Sequence, residues 1–241
     1  MPDAISGLYG YPSERANYLT HISWERGYVY VEVPKTGCTS VKRMLQLPEY
    51  GYDIDQLPKN IHDRSISPLA RPREAPARFL EALRLGELFA FTFVRNPFSR
   101  ALSGYLDKIV QNPWEKKRRL PPLGFEADAE VSFIEFLNAV RSQPDEEKDI
   151  HWAPQHHLLA EGRITFDFVG RFETLRDGLL EVADRIGIMI DPALLLRTTA
   201  HVTGASDRLA EFYGDEETRC VAEMYAADFG AYGYSTDWRE A

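Results

Sequence analysis

Three apolar runs, each leading into a segment of helical period, organise the chain. The first, Tyr28 to Val33 (YVYVEV), is β-branched or aromatic at nearly every position, and after Pro34 to Ser40 it gives way to Val41, Met44 and Leu45 at helical spacing. The second, Leu88 to Val94 (LFAFTFV), is apolar on both faces, as a central parallel strand must be. After Arg95-Asn96-Pro97, residues Phe98, Leu102, Tyr105, Leu106 and Ile109 mark one face of a helix. The third, Ile164 to Phe172 (ITFDFVGRF), leads to Thr174 and Asp177, a variant capping box that predicts a helix through about Ile186. Val221, Met224, Tyr225 and Phe229 predict a closing amphipathic helix. Strand, loop and helix in succession predict an α/β fold, a central parallel sheet flanked by helices. Two stretches interrupt it, Tyr50 to Pro76 and Gln111 to Glu130, long surface excursions suited to recognising a second molecule.

The bulk numbers narrow the classes. With 241 residues, 44% hydrophobic and 27% charged, the chain can bury a proper core, and we expect a single domain over residues 1–241. No internal repeat is visible, and no run of 18 apolar residues or leader-like start either, so the expectation is a soluble, cytoplasmic protein. Cys38 and Cys220 make no disulfide framework, and no Cys/His spacing suggests a metal. A formal charge of −9 argues against nucleic acid and anionic membranes as partners. Anions must therefore be handled locally. The basic run Lys116-Lys117-Arg118-Arg119, set between Pro113 and Pro121-Pro122, reads as a loop, either solvated or clamping an acidic acceptor.

The first local anion site is Pro34-Lys35-Thr36-Gly37-Cys38-Thr39-Ser40, between a buried-type strand and a helix, where backbone N–H groups and the helix dipole converge. The glycine allows close approach, the hydroxyls add donors and the lysine adds a mobile charge. The order fails the GxxxxGK[ST] pattern of nucleotide triphosphate loops, because the lysine comes first. VPKTGCTS instead resembles the 5′-phosphosulfate loop of the sulfotransferases that use 3′-phosphoadenosine-5′-phosphosulfate (PAPS), in the branch of the carbohydrate sulfotransferases and their bacterial relatives. The resemblance implies a P-loop-like sheet. It also implies that Lys35 meets the 5′-phosphate and the leaving bridging oxygen while Thr36, Gly37, Cys38, Thr39 and Ser40 cradle the phosphate.

Further segments extend the likeness from about residue 28 to 234. Phe93 to Tyr105 (FVRNPFSRALSGY) is similar to the family's 3′-phosphate motif, with Arg95 and Ser103 in the binding positions. Arg100 reads as a structural ion pair or cap there, and Ser99 as incidental. Asp149 to Gln155 resembles the family's HWxP segment, and Phe166 to Glu173 its third strand with the following RFE, which brings Arg171 among the nucleotide contacts. His201 to Ser206 stands where relatives close a loop over the nucleotide; it lacks their asparagine, which leaves Thr203 and Ser206 as contacts and gives His201 a loop or structural role. Golgi members carry a membrane anchor and more cysteines, so the likeness points to a bacterial-type cytosolic relative.

These parts imply in-line sulfuryl transfer from PAPS to an acceptor, a hydroxyl of a carbohydrate or small metabolite, with 3′,5′-ADP as product and no metal. The acceptor must lose a proton. A histidine is the expected base: His62 first, because relatives place a catalytic histidine in that excursion, then His151, with a glutamate or aspartate as the remaining choice. His156 and His157 are adjacent and cannot both face one site. Trp152 suits stacking on adenine or acceptor, or burial with a bonded N–H. The alternatives are an ATP-dependent phosphotransferase and a non-catalytic sulfonucleotide-binding protein. Acceptor identity and oligomeric state are not legible.

Overall fold

The computed structural model describes residues 3–190 and 203–241. His201 lies outside the described residues. In chain order the main elements are helices α1 (Ala4–Tyr9) and α2 (Ser13–Leu19), strands β1 (Thr20–Ser23) and β2 (Tyr28–Val31), helices α3 (Cys38–Gln46) and α4 (Pro76–Leu85), and strand β3 (Phe89–Val94). There follow α5 (Pro97–Tyr105), α6 (Pro113–Arg119), α7 (Phe133–Ser142), the short α8 (Gln155–Leu158), strand β4 (Phe168–Arg171) and α9 (Leu175–Arg185). Helices Asp215–Met224 and Ala226–Tyr232 complete the C-terminal stretch. The fold is α/β.

The elements gather into two compact units. One is built by the chain up to Val94 and again from Leu159; the other starts at Arg95, breaks off at Leu158 and resumes with the C-terminal stretch. The first holds a four-stranded sheet in the order β1-β2-β3-β4, with β2, β3 and β4 parallel and β1 antiparallel at the edge. The three parallel strands carry the predicted runs, although only Phe168–Arg171 of the third is paired as strand. Parallel register sets their carboxyl ends along one edge of the sheet. Period two then divides the side chains: Tyr28, Tyr30, Phe91 and Phe93 pack with Val41, Met44 and Leu45 of α3 and Leu179, Val182 and Ala183 of α9. Phe93 packs so closely on β4 and α9 that a Cβ on Gly170 or Gly178 would meet its ring at 2.4 or 2.7 Å.

The second unit is helical. Asn96 caps α5 by accepting from the Phe98 N–H at 2.9 Å, with Pro97 in the first turn, and every residue of α5 is buried. Its predicted apolar face, Phe98, Leu102, Tyr105, Leu106 and Ile109, packs with α7 and with Val221, Tyr225 and Phe229. Val221 and Phe229 stand on separate helices: the predicted single closing helix breaks at Tyr225, between Asp215–Met224 and Ala226–Tyr232. A second correction concerns the basic run, which forms the last turn of α6 rather than a loop. Pro113 starts this helix, and the Asn112 side chain accepts from the Glu115 N–H at 3.1 Å. A third concerns Thr174, which precedes α9 without a side-chain cap. No helix among the described residues is long and apolar enough to cross a membrane.

Candidate functional site

The Lys35 loop leaves β2 at the carboxyl edge of the sheet. Lys35 adopts a left-handed backbone with φ 74°, a conformation costing a non-glycine residue about 1 kcal/mol, and strain of this kind concentrates at functional sites. Gly37 is left-handed too, at φ 85°, and a Cβ there would stand 2.5 Å from Leu175 Cδ2, so the residue is required twice over. It precedes α3 without offering a side-chain cap, which leaves the first N–H groups of that helix for an anion. The hydroxyls differ in direction. Thr36 is fully buried and donates to the Val33 carbonyl at 2.8 Å, so only its main chain can face an anion. Thr39 is half-buried and pairs with His62 Nε2 at 2.9 Å. Ser40 is buried, and its N–H turns back to the Gly37 carbonyl.

Beneath this loop lies a buried charge cluster that composition did not announce. Glu32 follows β2 and accepts from Lys42 Nζ at 3.0 and 2.9 Å on its two oxygens and from His21 Nε2 at 3.0 Å. Burial alone would raise the Glu32 pKa; Lys42 and the His21 hydrogen bond outweigh it and hold the carboxyl well below its ordinary range. His21 is pushed the other way by burial, to about 3, and its Nδ1 accepts from Arg64 at 2.8 Å. Arg64 also donates to the carbonyls of Thr20 and Ala70, which anchors the excursion that carries His62. His62 Nδ1 stands 2.5 Å from Lys42 Nζ. The single acid in YVYVEV was the available signal for this cluster, because an ionised group beside a buried strand needs buried partners.

Glu32, Cys38 and His62 bring one donor atom each to within 4.8 Å of one another. That is metal-like spacing, but the Lys42 ammonium already stands between the carboxylate and the imidazole. Burial, reinforced by Glu32, also pushes the Cys38 thiol up to about 12, so it keeps its proton. The cluster is organised around a fixed organic cation. Arg171 closes β4 opposite Val94, on the same edge of the sheet, with its side chain exposed.

The second unit opens at Arg95, the residue after β3. Gln155 clamps its main chain, accepting from the Arg95 N–H at 2.9 Å and donating to its carbonyl at 2.8 Å. In its guanidinium, Nε donates to Ser99 at 3.0 Å and Nη2 to Ser206 at 3.1 Å. Ser103 and Thr203 pair through their hydroxyls at 3.1 Å. Arg95, Ser103, Thr203 and Ser206, anticipated one by one, thus form linked pairs along α5. Ser99 is not incidental, since it fixes the fork of Arg95. Gln155 escaped sequence reasoning because the contact is made 60 residues away in the chain.

Helix α5 also sets the turn bearing His151. Arg100, 2% exposed, donates to the carbonyls of Ala153 at 2.8 Å and Ile150 at 3.2 Å, a purely structural task. A Cβ on Gly104 would come within 3.1 Å of the His151 carbonyl. His151 Nδ1 pairs with Asp149 Oδ1 at 2.6 Å, and the other Asp149 oxygen pairs with Arg119 of the basic helix. Two other residues of the run are also engaged: Lys116 meets Glu130 at 2.6 Å, and Arg118 lies over Trp114 at 4.4 Å. Trp152 is 2% exposed and meets Phe136 edge-on at 5.2 Å, which rules out stacking on a ligand; its indole N–H has no hydrogen-bond partner among the described residues. His156 pairs with the buried Asp228 at 2.8 Å.

Comparison with known proteins decides the family. The model of the sulfotransferase family matches residues 21–235, running across both units. The chain belongs to the sulfotransferase family. It is 26% identical to carbohydrate sulfotransferase 14 of Danio rerio over 97% of this chain and 67% of that protein. It is 31% identical to carbohydrate sulfotransferase 14 of Mus musculus over 71% of this chain and 50% of that protein. Carbohydrate sulfotransferase 10 of Gallus gallus is 26% identical over 86% of this chain and 63% of that protein. This sulfotransferase thus spans about half to two thirds of the length of these curated relatives. No solved structure matches the chain significantly.

Proposed function

We propose that this chain transfers the sulfuryl group of PAPS to a hydroxyl, on a carbohydrate or a small metabolite. The carrying observation is the loop at the end of β2, where a strained Lys35 and a close-packed Gly37 precede an uncapped helix. Such a loop suits the 5′-phosphosulfate end of the donor: backbone N–H groups hold the phosphate, and Lys35 meets the bridging oxygen on which charge develops. The Arg95 cluster suits the 3′-phosphate, which a guanidinium grips through paired hydrogen bonds. The relatives' names favour a carbohydrate acceptor.

In the reaction the acceptor oxygen attacks sulfur in line. The new O–S bond forms as the bond from sulfur to the bridging oxygen breaks, and 3′,5′-ADP departs with its charge met by Lys35. The acceptor proton goes to a base, and the geometry favours His151 over His62. Asp149 takes the Nδ1 proton of His151 as a hydrogen bond, which leaves the basic lone pair on Nε2. His62 has an ammonium at Nδ1.

Labelled PAPS with a panel of hydroxylated sugars and metabolites tests the reading, alongside calorimetry with 3′,5′-ADP and with ATP and magnesium. Labelled acceptor together with binding of 3′,5′-ADP is expected. Tight ATP binding with indifference to 3′,5′-ADP would indicate a phosphotransferase instead, and 3′,5′-ADP binding without labelled product a binding protein.

A further inference from the structure

The Lys42 ammonium has three protons and three acceptors around it: both oxygens of Glu32, at 3.0 and 2.9 Å, and His62 Nδ1, at 2.5 Å. An ammonium cannot accept a hydrogen bond, so Nδ1 of His62 must. A neutral imidazole whose Nδ1 accepts carries its one proton on Nε2. Here Nε2 faces the Thr39 hydroxyl at 2.9 Å, so the imidazole donates and Thr39 accepts. The hydroxyl's own proton is thereby turned away from His62. His21 repeats the pattern on the other side of Glu32, with Nδ1 accepting from Arg64 and Nε2–H donating to the carboxylate. Two cations, Lys42 and Arg64, therefore stand against one carboxylate, with the neutral Cys38 thiol beside it, and leave a net positive charge beneath the loop.

We propose that His62 is a positioning residue, locked by Lys42 in its Nε2–H form so that the Thr39 hydroxyl serves as a hydrogen-bond donor to the anion bound in the loop. The proposal rests on the reading of that loop as the PAPS phosphosulfate site. It assigns His62 a role other than base: the lone pair a base needs is committed to Lys42, and the other nitrogen already bears its proton. The excess charge under the loop favours anion arrival in the same sense.

Two measurements test it. In the unmodified protein without nucleotide, nitrogen-15 NMR of the histidine side chains should find His62 in the Nε2–H tautomer; an Nδ1–H tautomer overturns the proposal, whatever the substrate proves to be. The second is PAPS turnover by variants, each checked for a native melting curve. Glutamine can offer its amide N–H near the Nε2 position, so His62→Gln should lose about 3-fold in kcat/KM for PAPS, against about 10-fold for His62→Ala and Thr39→Val. The latter two combined should lose no more than either alone, and Thr39→Ser should restore most of the rate. The acidic limb of the pH profile should persist in His62→Gln. Equal losses of 100-fold or more in His62→Gln and His62→Ala, with that limb gone, would make His62 the base and overturn the proposal. If PAPS is not turned over at all, the functional reading falls while the NMR arm still decides the tautomer.

Discussion

The two anion loops solve one problem in opposite ways. The Lys35 loop rests on buried charge: Glu32 balanced by Lys42, His21 wedged between Glu32 and Arg64, and a strained lysine at the head of an uncapped helix. Around Arg95 the described supports are uncharged: Ser99 and Ser206 accept from the guanidinium, and Gln155 clamps the main chain beneath it. If the two loops hold the two ends of PAPS as proposed, the chemistry of the donor accounts for the difference. At the phosphosulfate end charge moves during reaction, so the protein needs a field already in place when the bond breaks. The 3′-phosphate does not react, and for it a well-aimed fork is enough. A field requires fixed buried ions, whereas aim requires only that a side chain be held still.

The largest expected effect breaks this contrast at its centre. Lys35→Ala should lower kcat with PAPS by about 100- to 1,000-fold, the usual cost of removing one group that stabilises developing charge, a larger loss than that of affinity for 3′,5′-ADP, whose 5′-phosphate it also meets. Steady-state kinetics beside calorimetry separates the two quantities. Arg95→Ala should act the other way, weakening 3′,5′-ADP by about 100-fold through loss of a charge-assisted pair, as calorimetry would measure. If both variants lost only affinity, or both only rate, the division of labour would fail.

A smaller effect concerns the buried charge itself. Folding lowers the His21 pKa to about 3 from an ordinary 6.5, so between those values the unfolded chain binds a proton that the native state refuses. The resulting stability is fully present above pH 6.5 and drains away as pH falls toward 3, by at most about 1.4 kcal/mol per pH unit. The depressed carboxyl of Glu32 adds a loss of the same sign at the acid end of that range. Urea unfolding at a series of pH values should show this slope, and His21→Gln should flatten it between pH 6.5 and 5. The smallest effect is expected at the neutral loop. Ser99→Ala should weaken 3′,5′-ADP about threefold with no change in the pH dependence of stability, since it frees one arm of a fork and removes no charge.

Particular residues mark how far the linear pattern reached. The apolar, β-branched and aromatic runs YVYVEV and LFAFTFV announced β2 and β3, and the spacing Phe98, Leu102, Tyr105 announced α5, because burial imposes those patterns locally. Strand β1 was not legible: Thr20–Ser23 is short, and it becomes strand by pairing with β2. The basic run reads as a loop because prolines flank it on both sides, yet Pro113 stands in the first turn of a helix, where proline is tolerated. The junctions that carry Lys35 and Arg95 were legible as strand, loop and helix, because such junctions keep their residues consecutive.

What the sequence determined alone was therefore short-range: the strand and helix periods, the two phosphate-loop motifs, and the residue types able to meet an anion there. Tertiary structure decided which of those residues face inward, as with Thr36; which supposed bystanders hold a neighbouring side chain, as Ser99 holds Arg95; and which donors and acceptors surround His62. The reason is physical. Periodicity and motif follow from neighbours within a few positions, but the direction of a hydrogen bond depends on every donor around it, and Lys42, Arg64 and Gln155 reach their partners from 10 to 60 residues away.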